Sequence, residues 1–189
     1  LTSSITVKRC MFLNNTADGG AGIRVNQSTA TIRHCDFLEN SASRPAGAIR
    51  PYAADVLIAD CMFTGNSGRN GGAINAYDSS GSVMRCRFES NSAQELAGAL
   101  SWNRGPLDLG ESVFMENSAG THGGGIQLQD FHEATIINCL IAANSASNTG
   151  GGMYFEDQTF ALSHCTLAGN TADQSGGGIA INNSTGSIA

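Results

Sequence analysis

The chain repeats itself about every 26 residues, and this repeat constrains the fold more than any other feature of the sequence. The clearest copy runs from Cys61 to Ile74 and reads C-M-F-T-G-N-S-G-R-N-G-G-A-I. Seven copies align on one register position, occupied by Cys10, Cys35, Cys61, Cys86, Ser112, Cys139 and Cys165. Successive register positions lie 25, 26, 25, 26, 27 and 26 residues apart. A sustained period of roughly 20–50 residues is typical of solenoids, in which each repeat buries its apolar face against its neighbours.

Each copy contains three short segments whose apolar residues alternate with polar or small ones, as in half-buried strands. In the third copy the first segment carries Val56 and Ile58, the second carries Cys61 and Phe63, and the third begins at Ile74. The first two pairs differ in parity, so a two-residue bend is expected between them, at Arg33-His34, Ala59-Asp60, Met84-Arg85 and their equivalents. A polar turn is expected before the third segment and a looser loop after it.

Three short strands and three bends in one repeat predict one turn of a parallel β-helix, here called a rung. The predicted fold class is therefore all-β, a right-handed parallel β-helix (solenoid) of seven rungs, its hand following the usual crossover between parallel strands. Cys35, Phe37, Ile49 and Ile58 are expected in the core. Because both ends stop inside a repeat, we expect residues 1–189 to be a single segment of a longer solenoid that continues at both ends.

Two further columns of like residues should form ladders along the stack. One is asparagine, at the end of each second strand: Asn15, Asn40, Asn66, Asn91, Asn117, Asn144 and Asn170. Its amides are expected to satisfy turn backbone and one another. The other column is cysteine: Cys10, Cys35, Cys61, Cys86, Cys139 and Cys165. Neighbouring cysteines are one rung apart, within reach for disulfides but with parallel Cβ directions, so both buried thiols and disulfides stay open.

Composition excludes several classes of function. The net charge is −6, 14% of residues are charged and no Lys/Arg cluster occurs, which argues against nucleic-acid binding. No apolar run approaches the ~20 residues of a membrane helix, so no membrane insertion by this segment is expected. The cysteines occupy one repeat column and not paired CxxC motifs, so neither a zinc site nor any cofactor is predicted.

The repeats resemble those of the chlamydial polymorphic outer membrane proteins, which combine FxxN with GGA[ILV]. The first half is matched by Phe12–Asn15, Phe37–Asn40, Phe63–Asn66, Phe88–Asn91 and Phe114–Asn117, and the second is complete at Gly71–Ile74. The resemblance implies a β-helical passenger with an adhesive role. The motifs are structural in that family, so it implies no catalytic residue.

Two functions from different classes are predicted on this basis. The first is a non-enzymatic extracellular or cell-surface rod, secreted or held at the surface, acting as an adhesin passenger or as a structural element of an extracellular assembly. Its partners would be other protein subunits or cell-surface or matrix components. The alternative is a polysaccharide lyase or glycoside hydrolase of the pectin-lyase type. Its candidate acids lie after the third strand, at Asp78, Asp130 and Asp157, beside Arg104 and His132.

The remaining candidate sites are on the surface. The bend column holds Asp60, Arg85 and Glu111, whose alternating signs favour ion pairs between rungs. The third strand should present an outward surface of Arg24, Arg50, Asn75, Ser101, Gln127, Tyr154 and Ala180, with Tyr52 and Tyr77 beside it as a contact patch. N-glycosylation sequons occur at Asn14, Asn26, Asn182 and Asn183.

Overall fold

The computed structural model describes residues 3–130 and 132–189, and within these residues the chain coils into a parallel β-helix of seven rungs. All the strand pairs are parallel, and each strand pairs with the strand about one repeat further along the chain. No helix occurs in the described part of the chain. The predicted fold class is confirmed, including burial of Cys35, Phe37, Ile49 and Ile58.

Four sheets run along the rod, numbered here in the order in which the chain passes through them. Sheet 1 contains Ser4–Lys8, Thr29–Arg33, Asp55–Ala59, Ser80–Met84, Leu107–Gly110, Glu133–Ile137, Thr159–Ser163 and Thr185–Ile188. Sheet 2 contains Met11–Leu13, Asp36–Leu38, Met62–Thr64, Arg87–Glu89, Val113–Met115, Leu140–Ala142 and Thr166–Ala168. Sheet 3 contains Thr16–Ala17, Ser41–Ala42, Ser67–Asn70, Ser92–Leu96, Ser118–Ala119, Ser145–Ala146 and Thr171–Ala172. Sheet 4 contains Ile23–Asn26, Ile49–Tyr52, Ile74–Tyr77, Leu100–Asn103, Ile126–Gln129, Met153–Glu156 and Ile179–Asn182.

Sheet 3 corrects the prediction of three strands per rung. The segment after each ladder asparagine, expected to be a polar turn, forms a short strand that pairs from rung to rung, as Ser92 does with Ser67 and Ser118. The residue after the serine or threonine points inward and is small, and Ala42, Ala93, Ala119 and Ala146 are all buried. The chain therefore closes each rung with four sides, and the predicted third strand belongs to sheet 4.

Each rung turns its four corners with one residue in the left-handed backbone region. In the third rung these residues are Asp60, Gly65, Gly71 and Asp78, with φ of 56°, 64°, 64° and 49°. The predicted two-residue bend between the first two strands is therefore wrong in detail. Arg33 still belongs to its strand, and the reversal rests on His34 alone, at φ 52°. One left-handed residue is enough to change which face points inward, which explains the shift in parity between the two strands.

The core is built from ladders of identical or similar side chains. Phe12, Phe37, Phe63, Phe88 and Phe114 stack with ring centroids 4.5–4.9 Å apart and ring planes within 6° of parallel. The spacing matches that of neighbouring strands, so the backbone pairing itself sets the stack. The single tryptophan, Trp102, is buried and donates its indole N–H to the carbonyl oxygen of Ser79 at 3.0 Å.

Gly71 and Gly72, which precede the sheet 4 strand of the third rung, are glycine for different reasons. Gly71 takes the positive φ, whereas Gly72 does not have one. A Cβ at Gly72 would lie 2.1 Å from the carbonyl oxygen of Gly98 and 2.5 Å from that of Ser92. Gly72 is therefore required by the close approach of the next rung, since no real Cβ approaches a backbone oxygen that closely.

Four of the seven residues predicted on the outer surface of sheet 4 are buried, whereas Arg24 is exposed and Arg50 and Ala180 are half-buried. Ser101 and Gln127 are 0% exposed, Asn75 5% and Tyr154 8%. The segment that precedes each strand folds over it, since a Cβ at Gly123 would lie 2.9 Å from Cβ of Gln127, and the His122 ring stacks on that of Tyr154. Two of the buried polar side chains bond each other, since Ser101 Oγ donates to Gln127 Oε1 at 3.0 Å.

Candidate functional site

The asparagine column is a continuous hydrogen-bonded ladder at the corner between sheets 2 and 3. Asn66 Oδ1 accepts the backbone N–H and the side-chain amide of Asn40, both at 3.0 Å. Asn66 in turn donates its side-chain amide to Asn91 Oδ1 and to the carbonyl oxygen of Phe37, both at 2.9 Å. Its backbone N–H also donates to Asn91 Oδ1, at 2.9 Å.

The three bonds that Asn66 donates recur at Asn40, Asn91, Asn117 and Asn144. At the ends of the column, Asn15 donates only to Asn40 Oδ1, and Asn170 only to the carbonyl oxygen of Ile141. Asn40, Asn66, Asn91, Asn117 and Asn144 are all 0% exposed. Both hydrogens and the oxygen of each of these amides are used, so the ladder leaves no polar atom free to meet a ligand. The asparagine amides satisfy backbone N–H and carbonyl groups at this corner and do not form a binding site for another molecule.

The cysteine column consists of six free thiols, without disulfides. Each thiol donates to the backbone carbonyl two residues earlier, as Cys35 Sγ does to Arg33 O at 3.2 Å and Cys61 Sγ to Ala59 O at 3.2 Å. Burial raises the pKa of Cys35 and raises the pKa of Cys139 to about 12. Cys35 and Cys139 are therefore protonated at neutral pH, which makes these two thiols poor nucleophiles and poor metal ligands.

The candidate acids of the alternative, enzymatic reading all lie on the corner between sheets 4 and 1. Asp78, Arg104, Asp130 and Asp157 are four of the left-handed residues at this corner. Two of the three acids have a partner: Asp130 Oδ2 lies 3.3 Å from Arg104 Nε, and Asp157 Oδ1 accepts a hydrogen bond from the Asn183 side chain. Sequence spacing places the carboxylates of Asp130 and Asp157 on adjacent rungs. In the structure, neither carboxylate is paired with the other, because each contacts a different side chain.

A shallow groove of about 730 Å³ follows this corner along the rod. Its walls include Asp55, Asp78, Ser80, Arg104 and His132. The Arg104 guanidinium also lies 5.2 Å from the centroid of the Tyr77 ring, and the Tyr77 and Tyr52 rings stack at 5.9 Å. The contact of Arg104 with Tyr77 was not predicted. The signal for it was that Arg104 lies one repeat beyond Asp78, the residue after Tyr77.

Among the described residues, no group of three or more His, Cys, Asp and Glu side chains is arranged to hold a metal ion. In the same residues, no helix is long and apolar enough to cross a membrane.

The bend column contains one bidentate ion pair between rungs. Arg85 Nε lies 2.7 Å from Asp60 Oδ1, and Arg85 Nη2 lies 3.2 Å from Asp60 Oδ2. The hydrogen bond from Arg85 lowers the pKa of Asp60. Glu111 forms no ion pair with Arg85 within the described part of the chain. The pair is largely solvated, so it contributes little to stability and suggests no catalytic role.

The four sequon asparagines lie on the surface. Asn14, Asn26, Asn182 and Asn183 are all exposed. Asn14 and Asn183 occupy left-handed corner positions, and the side chains of Asn182 and Asn183 donate to Glu156 and Asp157. Whether any of them is glycosylated stays a prediction.

Comparison with known families decides the classification. The family model described as "Right handed beta helix region" matches residues 1–189. The chain belongs to the right-handed β-helix family. No curated protein matches it. Membership fixes the architecture and its hand, but β-helices include both enzymes and non-enzymes, so function has to be argued from this chain's own sites.

Proposed function

We propose that this β-helix is a non-enzymatic rod outside the cell or at the cell surface, serving as an adhesin passenger or as a structural element of an extracellular assembly. The observation that carries the proposal is the regularity of the coil. Most polar groups of its ladders are used within the stack, as in the amides from Asn40 to Asn144. Such a molecule offers long repetitive faces for contact with protein subunits or with cell-surface or matrix components.

The corner groove is the part of the molecule that the enzymatic alternative would use. The acids there support it weakly, because Asp130 is paired with Arg104 and Asp157 with Asn183. A retaining glycosidase needs two carboxyl groups about 5–5.5 Å apart that both face the same sugar bond. Here the Arg104 guanidinium lies against Asp130, so that carboxylate is paired within the protein and not turned toward a sugar bond.

A turnover assay tests the proposal directly. Wild type, Asp130→Ala, Asp157→Ala and His132→Ala are incubated with acidic and neutral polysaccharides, and the release of reducing ends and of unsaturated products is measured. No cleavage is expected from any of the four proteins, and all four should melt at similar temperatures. Reproducible cleavage by wild type that Asp130→Ala abolishes, at an unchanged melting temperature, would overturn the proposal in favour of the enzyme.

A further inference from the structure

Sheet 2 carries an apolar outer face along the whole rod, which the ladders and the corner groove do not explain. Its strands have three residues each, so two side chains per rung point outward. Nine of these fourteen positions are apolar: Met11, Leu13, Leu38, Met62, Val113, Met115, Leu140, Ala142 and Ala168. Met11, Leu13 and Met62 are 61%, 50% and 37% exposed. We call these fourteen residues the sheet 2 face.

Polar residues flank this face and occupy its middle rung. The corner before it holds Asp60, Arg85 and Glu111, and the corner after it holds Glu39 and Glu116. An apolar centre with a polar rim is the usual anatomy of a protein–protein contact. The remaining outward positions of the face are Asp36, Thr64, Arg87, Glu89 and Thr166.

The two charged residues of the middle rung select the partner. Arg87 and Glu89 lie on the same strand and form an ion pair, with Arg87 Nε 2.8 Å from Glu89 Oε2. A two-fold axis parallel to the rod would lay the sheet 2 face of one copy on that of another, rung against equal rung, with the strands antiparallel. Arg87 of each copy then faces Glu89 of the other, and the four charges alternate in sign. Both charges of the middle rung stay paired, which a buried contact requires. Asp36, in the second rung, would meet Leu38 of the other copy without a charge partner, which weakens the contact toward that end of the face.

The neighbouring rungs fit the same arrangement. One rung before the charges, Met62 of each copy would meet Thr64 of the other, and one rung after them Val113 would meet Met115. A second copy presents strands at the same spacing, so its sheet 2 face stays in register with this one from rung to rung, and faces of this kind pack about 10 Å apart.

We propose that two copies of this chain associate side by side through their sheet 2 faces, with their rods parallel. This inference rests on the proposed function, because it names a partner for the rod. The three-residue strands make the face only about 10 Å wide and roughly 30 Å long. That is less than half of the ~800 Å² per partner of a standard interface. The dimer is therefore weak, reversible and concentration-dependent.

Sedimentation velocity across a wide concentration range tests the proposal. Wild type should show reversible association, and Val113→Lys should raise the dissociation constant at least tenfold by burying an unpaired charge. Thr135→Lys is the matched control, since it adds the same charge to the outer face of sheet 1 and should associate as wild type does. Melting temperatures establish that each variant is folded.

Charge reversal on the middle rung gives a second test that leaves the apolar residues intact. Arg87→Glu and Glu89→Arg should each associate at least tenfold more weakly than wild type, because like charges then face each other. An equimolar mixture of the two variants should recover association, since opposite charges face each other again.

Three outcomes would overturn the proposal: a wild type that stays monomeric, an association that Val113→Lys and both reversals leave unchanged, or a mixture of reversals that shows no recovery. None of these outcomes bears on the turnover assay above, so failure of the dimer and failure of the non-enzymatic reading can be told apart.

Discussion

At the scale of single residues, the ladder asparagine determines the stability of its corner. Asn66→Leu keeps the approximate volume but removes both donors and the acceptor, leaving the N–H of Asn40 and the carbonyl oxygen of Phe37 without these partners. An unsatisfied buried polar group costs about 1–3 kcal/mol, so we expect a clear fall in the free energy of unfolding, measured by chemical denaturation. Asn26→Leu is the control, because that side chain is exposed. Equal stability of the two variants would contradict the role given to the ladder.

The thiols give a second prediction at this scale. Cys10 is exposed, Cys165 is half-buried and Cys35, Cys61, Cys86 and Cys139 are buried. In the native protein at pH 7–8 we expect a thiol reagent to modify Cys10 fast and Cys165 more slowly. The raised pKa of Cys139, about 12, keeps it protonated and unreactive far above neutral pH. In denaturant, the other four thiols should become accessible and react with the reagent. Six fast-reacting thiols in the folded protein would contradict the buried column.

Residue columns were also what the sequence predicted best. The positions of Phe37, Asn66 and Ile58 follow from the repeat, because a residue that recurs once per rung must stack on its own equivalent. The sequence did not show which residue a surface side chain contacts. Asp130 and Asp157 share a column, but each contacts a different residue, Arg104 or Asn183. Column membership fixes height along the rod but not the rotamer that a long side chain adopts.

At the scale of elements, the sheets were predicted where alternation marks them and missed where it does not. Five of the seven strands of sheet 3, among them Ser41–Ala42, are only two residues long. A strand of two residues is too short to show an alternating pattern in the sequence. Alternation also failed on the outer face of sheet 4, since it predicts which way Gln127 points but not that the preceding turn covers it. Both misses come from the segment between the ladder asparagine and sheet 4, where small residues allow close packing.

Glycine at position 72 is the tightest point of that segment. Gly72→Val would drive its side chain into the carbonyl oxygens of Gly98 and Ser92, which belong to backbone that cannot move independently. We expect a loss of about 3 kcal/mol or more in unfolding free energy, measured by denaturant titration. Gly178→Ala serves as the control, because the nearest atom to its added Cβ is Leu167 Cδ2 at 3.9 Å. A Gly72→Val protein as stable as wild type would show that the rungs can separate there.

At the scale of the whole molecule, the rod is held together almost entirely by contacts between one rung and the next. Backbone bonds such as Asp60 N–H to Met84 O and Gly71 N–H to Leu96 O cross each interval even at the corners. Stability in such a stack is close to a sum over neighbouring pairs of rungs. A substitution in a middle rung therefore weakens two intervals, and one in an end rung weakens a single interval.

The direction of those bonds has a mechanical consequence. They lie along the rod axis, so a force that pulls the two ends apart loads the intervals in series, and an end rung, which is held on one side only, separates first. With tethers at the two ends in an optical trap, we expect stepwise extension in which each step releases one rung of 25–27 residues. Each step should lengthen the molecule by roughly 85–90 Å, the extended length of such a segment. Release of the whole chain in one event would contradict this, whereas Asn66→Leu should lower the force of the steps at its own rung and its neighbours. A coil built this way yields to tension one turn at a time.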